Sequence, residues 1–194
     1  MIAVTGITGH SGKFFLKQLV DNNYPGALRC LVRESSDTSA LDASGLNIEK
    51  FRGSIDSDAD LERFVSGADT VVHIAGIMKT PRLLAAIERA GGVKHVVLVH
   101  TTGIYSKYKM ASAGYKAVEE DMQQYLDRGM NITIIRPTMI FGDLCDRFAA
   151  FGRQAHLLGE RQMRGVEGAP HFLRGGQRAD QHLAVIELLL DDLH

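Results

Sequence analysis

Apolar and polar positions fall into alternating short and long blocks along the chain. Ile2-Ala3-Val4-Thr5 is an apolar run that starts almost at the first residue, and a glycine cluster follows it. Phe14-Phe15-Leu16-Lys17-Gln18-Leu19-Val20 then carries its apolar residues at helical spacing, and Asn22-Asn23-Tyr24-Pro25-Gly26 stops that helix. Residues 27–32 predict a second strand and residues 48–51 a weaker third. Residues 61–65 form the apolar side of another helix, and residues 70–74 read as a fourth strand. A helix over 81–90 ends at Gly91-Gly92, and a β-branched fifth strand occupies 93–100. A long helix over 115–128 is closed by Gly129, and a sixth strand over 131–135 ends at Arg136-Pro137.

Strands alternating with helices over such short connections predict an α/β fold, a doubly wound parallel sheet covered on both faces. In such sheets a ligand sits outside the carboxyl ends of the strands, where the strand order reverses. The loops that follow the strands are therefore where chemistry is expected.

The first of those loops reads Thr5-Gly6-Ile7-Thr8-Gly9-His10-Ser11-Gly12. Its glycines are spaced three and three, a variant of the common dinucleotide fingerprint. Gly6 suits the tight turn out of the strand, and Gly9 lets backbone approach a diphosphate with no Cβ in the way. Gly12 lets the new helix pack closely on the sheet, while free N–H groups at that helix start face the anion. The loop thus predicts a diphosphate cradle built from Gly6, Thr8, Gly9, His10, Ser11 and Gly12. A glycine-rich turn without a ligand is the plainer reading, and the position between first strand and first helix argues against it.

Arg33 directly follows the second strand, where a dinucleotide fold meets the adenosine ribose. An acid there favours a free 2′-hydroxyl and an arginine favours a 2′-phosphate, so NADP is expected ahead of NAD. Glu34 beside it pulls the other way.

Composition narrows the picture. The chain has 194 residues, 45% hydrophobic and 23% charged, which fits one globular domain with at most a small appendage. A formal net charge of -1 gives no electrostatic basis for a nucleic-acid or acidic-membrane partner. Cys30 and Cys145 lie far apart without metal-ligand or redox spacing, so no metal site and a reduced, cytoplasmic setting are expected. No apolar run is long enough to span a bilayer, and no basic segment precedes an apolar one at the N-terminus.

Several motifs recur in a fixed order: the Thr5-to-Gly12 loop, Val71-Val72-His73-Ile74-Ala75-Gly76, the Thr101-Thr102 pair, Lys116 with Glu119, and Arg136-Pro137-Thr138 leading to Phe141-Gly142. On these, residues 1 to about 143 resemble the short-chain dehydrogenase/reductase superfamily. The likeness is to its extended and atypical branches, which include NAD(P)-dependent epimerase/dehydratase and NmrA-like proteins.

The resemblance implies an NAD(P)-binding Rossmann fold and an oxidoreductase or epimerase-like activity on a small carbonyl or alcohol. It equally admits a cofactor-binding sensor of NmrA-like type. It places Ser54 and Ile55 near adenine, although Ser54 stands where the family has aspartate, and Asp56 reads as a cap of the next helix. Ala75 and Gly76 lack bulk where a ribose crosses the backbone, and His73 reads as a packed strand residue. Thr101, Pro137 and Thr138 fall beside the nicotinamide.

Family enzymes use a tyrosine, a lysine four residues later and a hydroxyl residue at the end of the fifth strand. Lys116 and Thr102 match the last two, but Ser112 stands where the tyrosine belongs. Tyr105 with Lys109 has the literal spacing and reads as a coincidence; Tyr105 and Tyr115 remain the aromatic candidates.

Residues 1–145 therefore read as the nucleotide-binding domain and 146–194 as an atypical tail that is not an independent domain. After Lys116 the chain contains no lysine, and past Asp146 only residues 182–193, with Leu183, Ile186, Leu189 and Leu190, predict a helix. Two readings stand: a reading frame shifted near Asp146, or a divergent native C-terminus. Resequencing the coding DNA separates them. The helix over 115–128 offers a surface for a homodimer.

Overall fold

The computed structural model describes residues 1–137. Thr138, Cys145 and the tail with its expected 182–193 helix lie outside the described residues.

Six strands make one sheet in the order β3-β2-β1-β4-β5-β6: β1 (Ile2–Thr5), β2 (Leu28–Val32), β3 (Ile48–Arg52), β4 (Thr70–His73), β5 (His95–Val99) and β6 (Ile132–Ile135). Every pair is parallel, with Thr5 opposite Leu31 on one side and His73 on the other. The chain runs outward from β1 to β3 and then crosses to β4, so strand order reverses between β1 and β4.

Period-two alternation sends side chains to opposite faces. Ile2, Val4, Leu28, Cys30, Val32, Val72 and Val97 pack with Phe15, Leu16 and Leu19 of α1 (His10–Asp21) and with Leu41 of the short α2 (Ser39–Asp42). Ala3, Leu31, Val71, Val96 and Leu98 face the other way. They meet Leu61 and Phe64 of α3 (Asp58–Val65), Leu83, Leu84 and Ile87 of α4 (Thr80–Ala90), and Met122 and Tyr125 of α5 (Lys109–Asp127). β1 is buried throughout, whereas β3 exposes Glu49, Lys50 and Arg52, charges that suit a sheet edge.

Two boundaries differ from the sequence expectation. α5 begins at Lys109, six residues before Tyr115, and buries Ser112 (2% exposed) in addition to Val118, Met122 and Tyr125. The cap of α3 is Ser57, whose hydroxyl accepts from the Asp60 amide, and not Asp56. Asp56 instead pairs with Lys79 at 2.5 Å. No helix among the described residues is long and apolar enough to cross a membrane.

Candidate functional site

The reversal of strand order opens a crevice at the carboxyl ends of β1 and β4, and the glycine loop fills its floor. Gly6 has φ +78, and a Cβ there would lie 2.6 Å from the Ala75 nitrogen and 2.9 Å from the Ile74 carbonyl carbon. A Cβ on Gly12 would lie 2.2 Å from the Gly6 oxygen and 2.5 Å from Ile7 backbone. Loop, helix and β4 therefore meet backbone to backbone. Gly9 differs: its φ of -77 suits any residue, it is exposed, and a Cβ would meet only the Gly6 oxygen, at 3.2 Å.

Gly9 is also the N-cap of α1. It has no side-chain oxygen for the first-turn amides, and no acidic residue lies in that turn. With no side-chain cap at this helix start, the positive end of the helix dipole suits an external anion. On the β4 side, among the described residues, nothing lies within 4 Å of where a Cβ on Gly76 would be. Glycines that seal the floor, a bare helix start and an open β4 end fit a dinucleotide diphosphate and its ribose.

At the end of β2, Arg33 is exposed, and its guanidinium has no partner among the described residues. Glu34 is engaged: its carboxylate lies 3.6 Å from Arg52, which also donates to the Arg33 and Glu34 carbonyls. Ser54 is exposed, donates its amide to Asp60, and accepts the Asp56 amide on its hydroxyl; Ile55 beside it is half-buried. His10 is exposed and packs edge-on against Phe14.

After β5 the chain makes one 3-10 turn, residues Thr102–Tyr105. The Thr101 hydroxyl caps that turn by accepting the Gly103 amide at 3.0 Å, and Thr102 donates to the Pro137 carbonyl at 3.5 Å. The Tyr115 ring lies against Gly103, so close that a Cβ there would be 3.0 Å from it. Thr101, Thr102, Pro137 and Tyr115 are thus brought together. Lys116 is exposed on the adjoining face of α5, with no ion pair among the described residues. Tyr105 is 70% exposed at the end of the 3-10 turn, within electrostatic reach of Arg136, while Lys109 opens α5, so the pair is split between two elements.

Beneath these groups lie two buried polar clusters that sequence reading missed, Thr5 with His73, and Thr80 with His100, Glu119 and Arg136. Thr5 Oγ1 meets His73 Nδ1 at 2.6 Å, and both residues are fully buried. Burial first, then repulsion from His100, pushes the His73 pKa down to about 3, so the ring is neutral. His100 meets Glu119 through Nδ1 and Thr80 through Nε2, each at 3.1 Å. A carboxylate only accepts, so Nδ1 carries the proton and Thr80 donates to Nε2. Burial lowers the His100 pKa against the opposing pull of Glu119.

Arg136 clasps Glu119 with two bonds, 3.0 and 2.7 Å. Burial works to raise the Glu119 carboxyl, but Arg136 and His100 outweigh it and hold it below the usual range. The signal available in sequence was only Glu119 and Arg136 as motif residues; His100 carried none. Among the described residues no three His, Cys, Asp or Glu side chains group to hold a metal. Burial pushes the Cys30 thiol up to about 12, which leaves it unreactive.

An open parallel sheet with a phosphate-cradling loop at its point of strand reversal defines a dinucleotide-binding domain. Residues 6–146 match the family model described as NAD(P)H-binding, and the chain belongs to that family. No curated protein matches it in sequence.

Among solved structures it is similar to an NADPH-dependent quinone oxidoreductase from Escherichia coli, at 21% identity over 70% of this chain and 46% of that one, with a TM-score of 0.56. It is similar to Citrobacter sp. triphenylmethane reductase, at 20% identity over 81% of this chain and 54% of that one, TM-score 0.61. A leucoanthocyanidin reductase from Vitis vinifera in complex with NADPH matches at 19% over 70% and 48%, TM-score 0.55. At these identities the likeness is one of fold, and this chain spans about half the length of each.

Proposed function

We propose that this chain is the NADPH-binding domain of an oxidoreductase acting on a small carbonyl or alcohol. The observation that carries this reading is the state of the two side chains after β2. The Arg33 guanidinium is unpaired among the described residues, while the exposed Glu34, the acid that would recognise a free ribose 2′-hydroxyl, lies 3.6 Å from Arg52. The solved reductases that share the fold include proteins described with NADPH, which points the same way.

Gly6, Thr8, Gly9, His10, Ser11 and Gly12 hold the diphosphate, and Arg33 takes the 2′-phosphate. Ser54 and Ile55 border adenine, Ala75 and Gly76 the ribose, and Thr101 with Pro137 the nicotinamide side; Thr138 completes that side in sequence only. The bound nicotinamide supplies the hydride. Lys116 anchors the adjoining ribose, Thr102 orients the substrate oxygen, and Tyr115 rather than Tyr105 is the phenol that exchanges a proton with it.

The buried Ser112 supports a second reading, a sensor that binds NADPH without turning it over. A fluorescence titration with NADPH and with NADH tests the cofactor reading. Tighter NADPH binding, weakened about tenfold by Arg33→Ala with NADH unaffected, is expected; equal affinities refute it. NADPH oxidation with a panel of carbonyls and quinones, lost in Lys116→Ala and Tyr115→Phe but not in Tyr105→Phe, supports catalysis. Binding with no turnover by any acceptor supports the sensor.

A further inference from the structure

β2 lies on one side of the point of strand reversal and β5 on the other, so the turns after β4 and β5 border the end of the site opposite Arg33. Met78, Tyr105, Tyr108 and Met110 are the exposed large apolar or aromatic side chains among the described residues. All four belong to those turns or to the start of α5. Single apolar residues scattered over a surface need no explanation, but a group gathered at the mouth of a ligand site marks a docking face.

The contacts between these elements join the four. Met78 sits in the 3-10 turn Ile77–Lys79 just past Gly76, and a Cβ on Gly114 would meet its Cε at 3.8 Å and its Sδ at 3.9 Å. Gly114 and Met110 are four residues apart on α5 and so share a helix face. Tyr108 is the N-cap of that helix, and its carbonyl accepts the Ser112 amide at 3.2 Å. The turn that carries Tyr105 closes on itself, with the Ser106 amide donating to the Gly103 carbonyl at 3.0 Å.

Charge along the same segments has one sign, in a chain whose formal net charge is -1. Residues 74–87 and 99–118 contain Lys79, Arg82, Lys107, Lys109 and Lys116 and no aspartate or glutamate. Lys79 and Arg82 are engaged by acids from outside, Asp56 at 2.5 Å and Asp58 at 3.5 Å. Lys107 and Lys116 are exposed, with no hydrogen bond or ion pair among the described residues.

We infer that this face receives the substrate and selects a flat apolar ring that bears a negative charge, such as a carboxylate. Tyrosine offers the ring a rigid apolar surface and methionine an adaptable one. Lys107, which the cofactor reading leaves unassigned, supplies the counter-charge. The inference rests on the oxidoreductase reading above and names the kind of substrate that reading left open.

Titration calorimetry of the full chain, saturated with NADP+, with 2-naphthoate and with the uncharged 2-naphthamide tests it through binding alone. Naphthoate should bind about tenfold more tightly than naphthamide. An exposed ion pair is worth up to a few-fold in affinity, so Lys107→Gln should weaken naphthoate about threefold while naphthamide and NADP+ are unchanged, with Lys107→Arg restoring the loss. Met78→Gln should weaken both probes alike.

Equal affinities for the two probes overturn the inference, and so does a naphthoate affinity that Lys107→Gln leaves unchanged. Naphthoate that displaces NADP+ also overturns it, since the anion is then held at the cofactor's own site. Binding of neither probe, with sedimentation giving the mass of two chains, overturns it and assigns the face to a second copy. A chain that takes NADPH yet treats the probes alike loses only this inference; one that takes neither NADPH nor NADH loses the oxidoreductase reading with it.

Discussion

Replacing the three glycines of the first loop by alanine, one at a time, separates those that build the fold from the one that admits the cofactor. At Gly6 the backbone has φ +78, which costs a Cβ-bearing residue about 1–2 kcal/mol. The new methyl also lands 2.6 Å from the Ala75 nitrogen, and overpacking of this kind costs roughly 1–3 kcal/mol. The sum, about 2–5 kcal/mol, lowers Tm by roughly 4–20 °C in a chain of this size.

Gly12→Ala meets backbone at 2.2 Å and 2.5 Å with no flexible side chain to yield, so a loss of at least the overpacking share is expected. At Gly9, φ is -77 and the methyl meets one oxygen at 3.2 Å. Alanine is a poorer N-cap than glycine by something under about 1 kcal/mol, and the reduced freedom of the unfolded chain returns about 0.4–1 kcal/mol. Gly9→Ala should therefore keep its Tm within about 2 °C while its methyl enters the proposed diphosphate site.

Thermal melts followed by circular dichroism, paired with NADPH titrations, read both quantities. Gly9→Ala should lose at least tenfold in NADPH affinity at nearly constant Tm, and Gly6→Ala should lose Tm first. A Gly9→Ala variant that binds NADPH normally, or that melts as early as Gly6→Ala, would refute the division of roles.

Three further outcomes are expected. Glu119→Ala removes the acceptor of both Arg136 and His100, which are partly and largely buried, and should cost about 1–3 kcal/mol in chemical denaturation; no change in midpoint would mean that the clasp is idle. The folded His73 pKa of about 3 lies below the unfolded value near 6.5, so the unfolded chain binds a proton that the folded chain refuses. The stability from this group is complete above about pH 6.5 and is lost as pH falls toward 3, by up to about 1.4 kcal/mol per pH unit, with His100 acting in the same direction. Melts between pH 7 and pH 4.5 should show the fall, and His73→Asn should flatten it; an equally steep His73→Asn profile would count against the assignment. Ser57→Ala deletes the α3 cap and should cost about 1 kcal/mol, read as a Tm lowered by roughly 2–4 °C.

The sheet was legible because β1, β2, β4 and β5 are buried on both faces and read as nearly continuous apolar runs. Their alternation with glycine-ended helices predicted the reversal point, and with it the loop that matters. The start of α5 was not legible. Residues 109–114 carry no apolar periodicity, the helix buries a serine there, and Tyr108 supplies no side-chain cap.

The Thr5–His73 pair and the His100, Glu119 and Arg136 cluster escaped for a different reason. Their members sit on four strand ends and one helix, up to 68 residues apart between bonded partners, and no spacing rule links them. Asp56 was read as a cap from its position; Ser57 took that role because it precedes Asp60 by three residues, the distance at which an N-cap side chain reaches a helix amide.

The contact of Gly6 and Gly12 with neighbouring backbone also bears on how fast a nucleotide is captured. A loop whose peptide planes rest directly on β4 and on its own helix has no softer arrangement to relax into. The phosphate-facing rim is therefore already in its bound shape when the nucleotide arrives, and little ordering entropy is spent there. If this rim holds the phosphates as proposed, capture there is expected to be a single bimolecular encounter, with a rate proportional to nucleotide concentration.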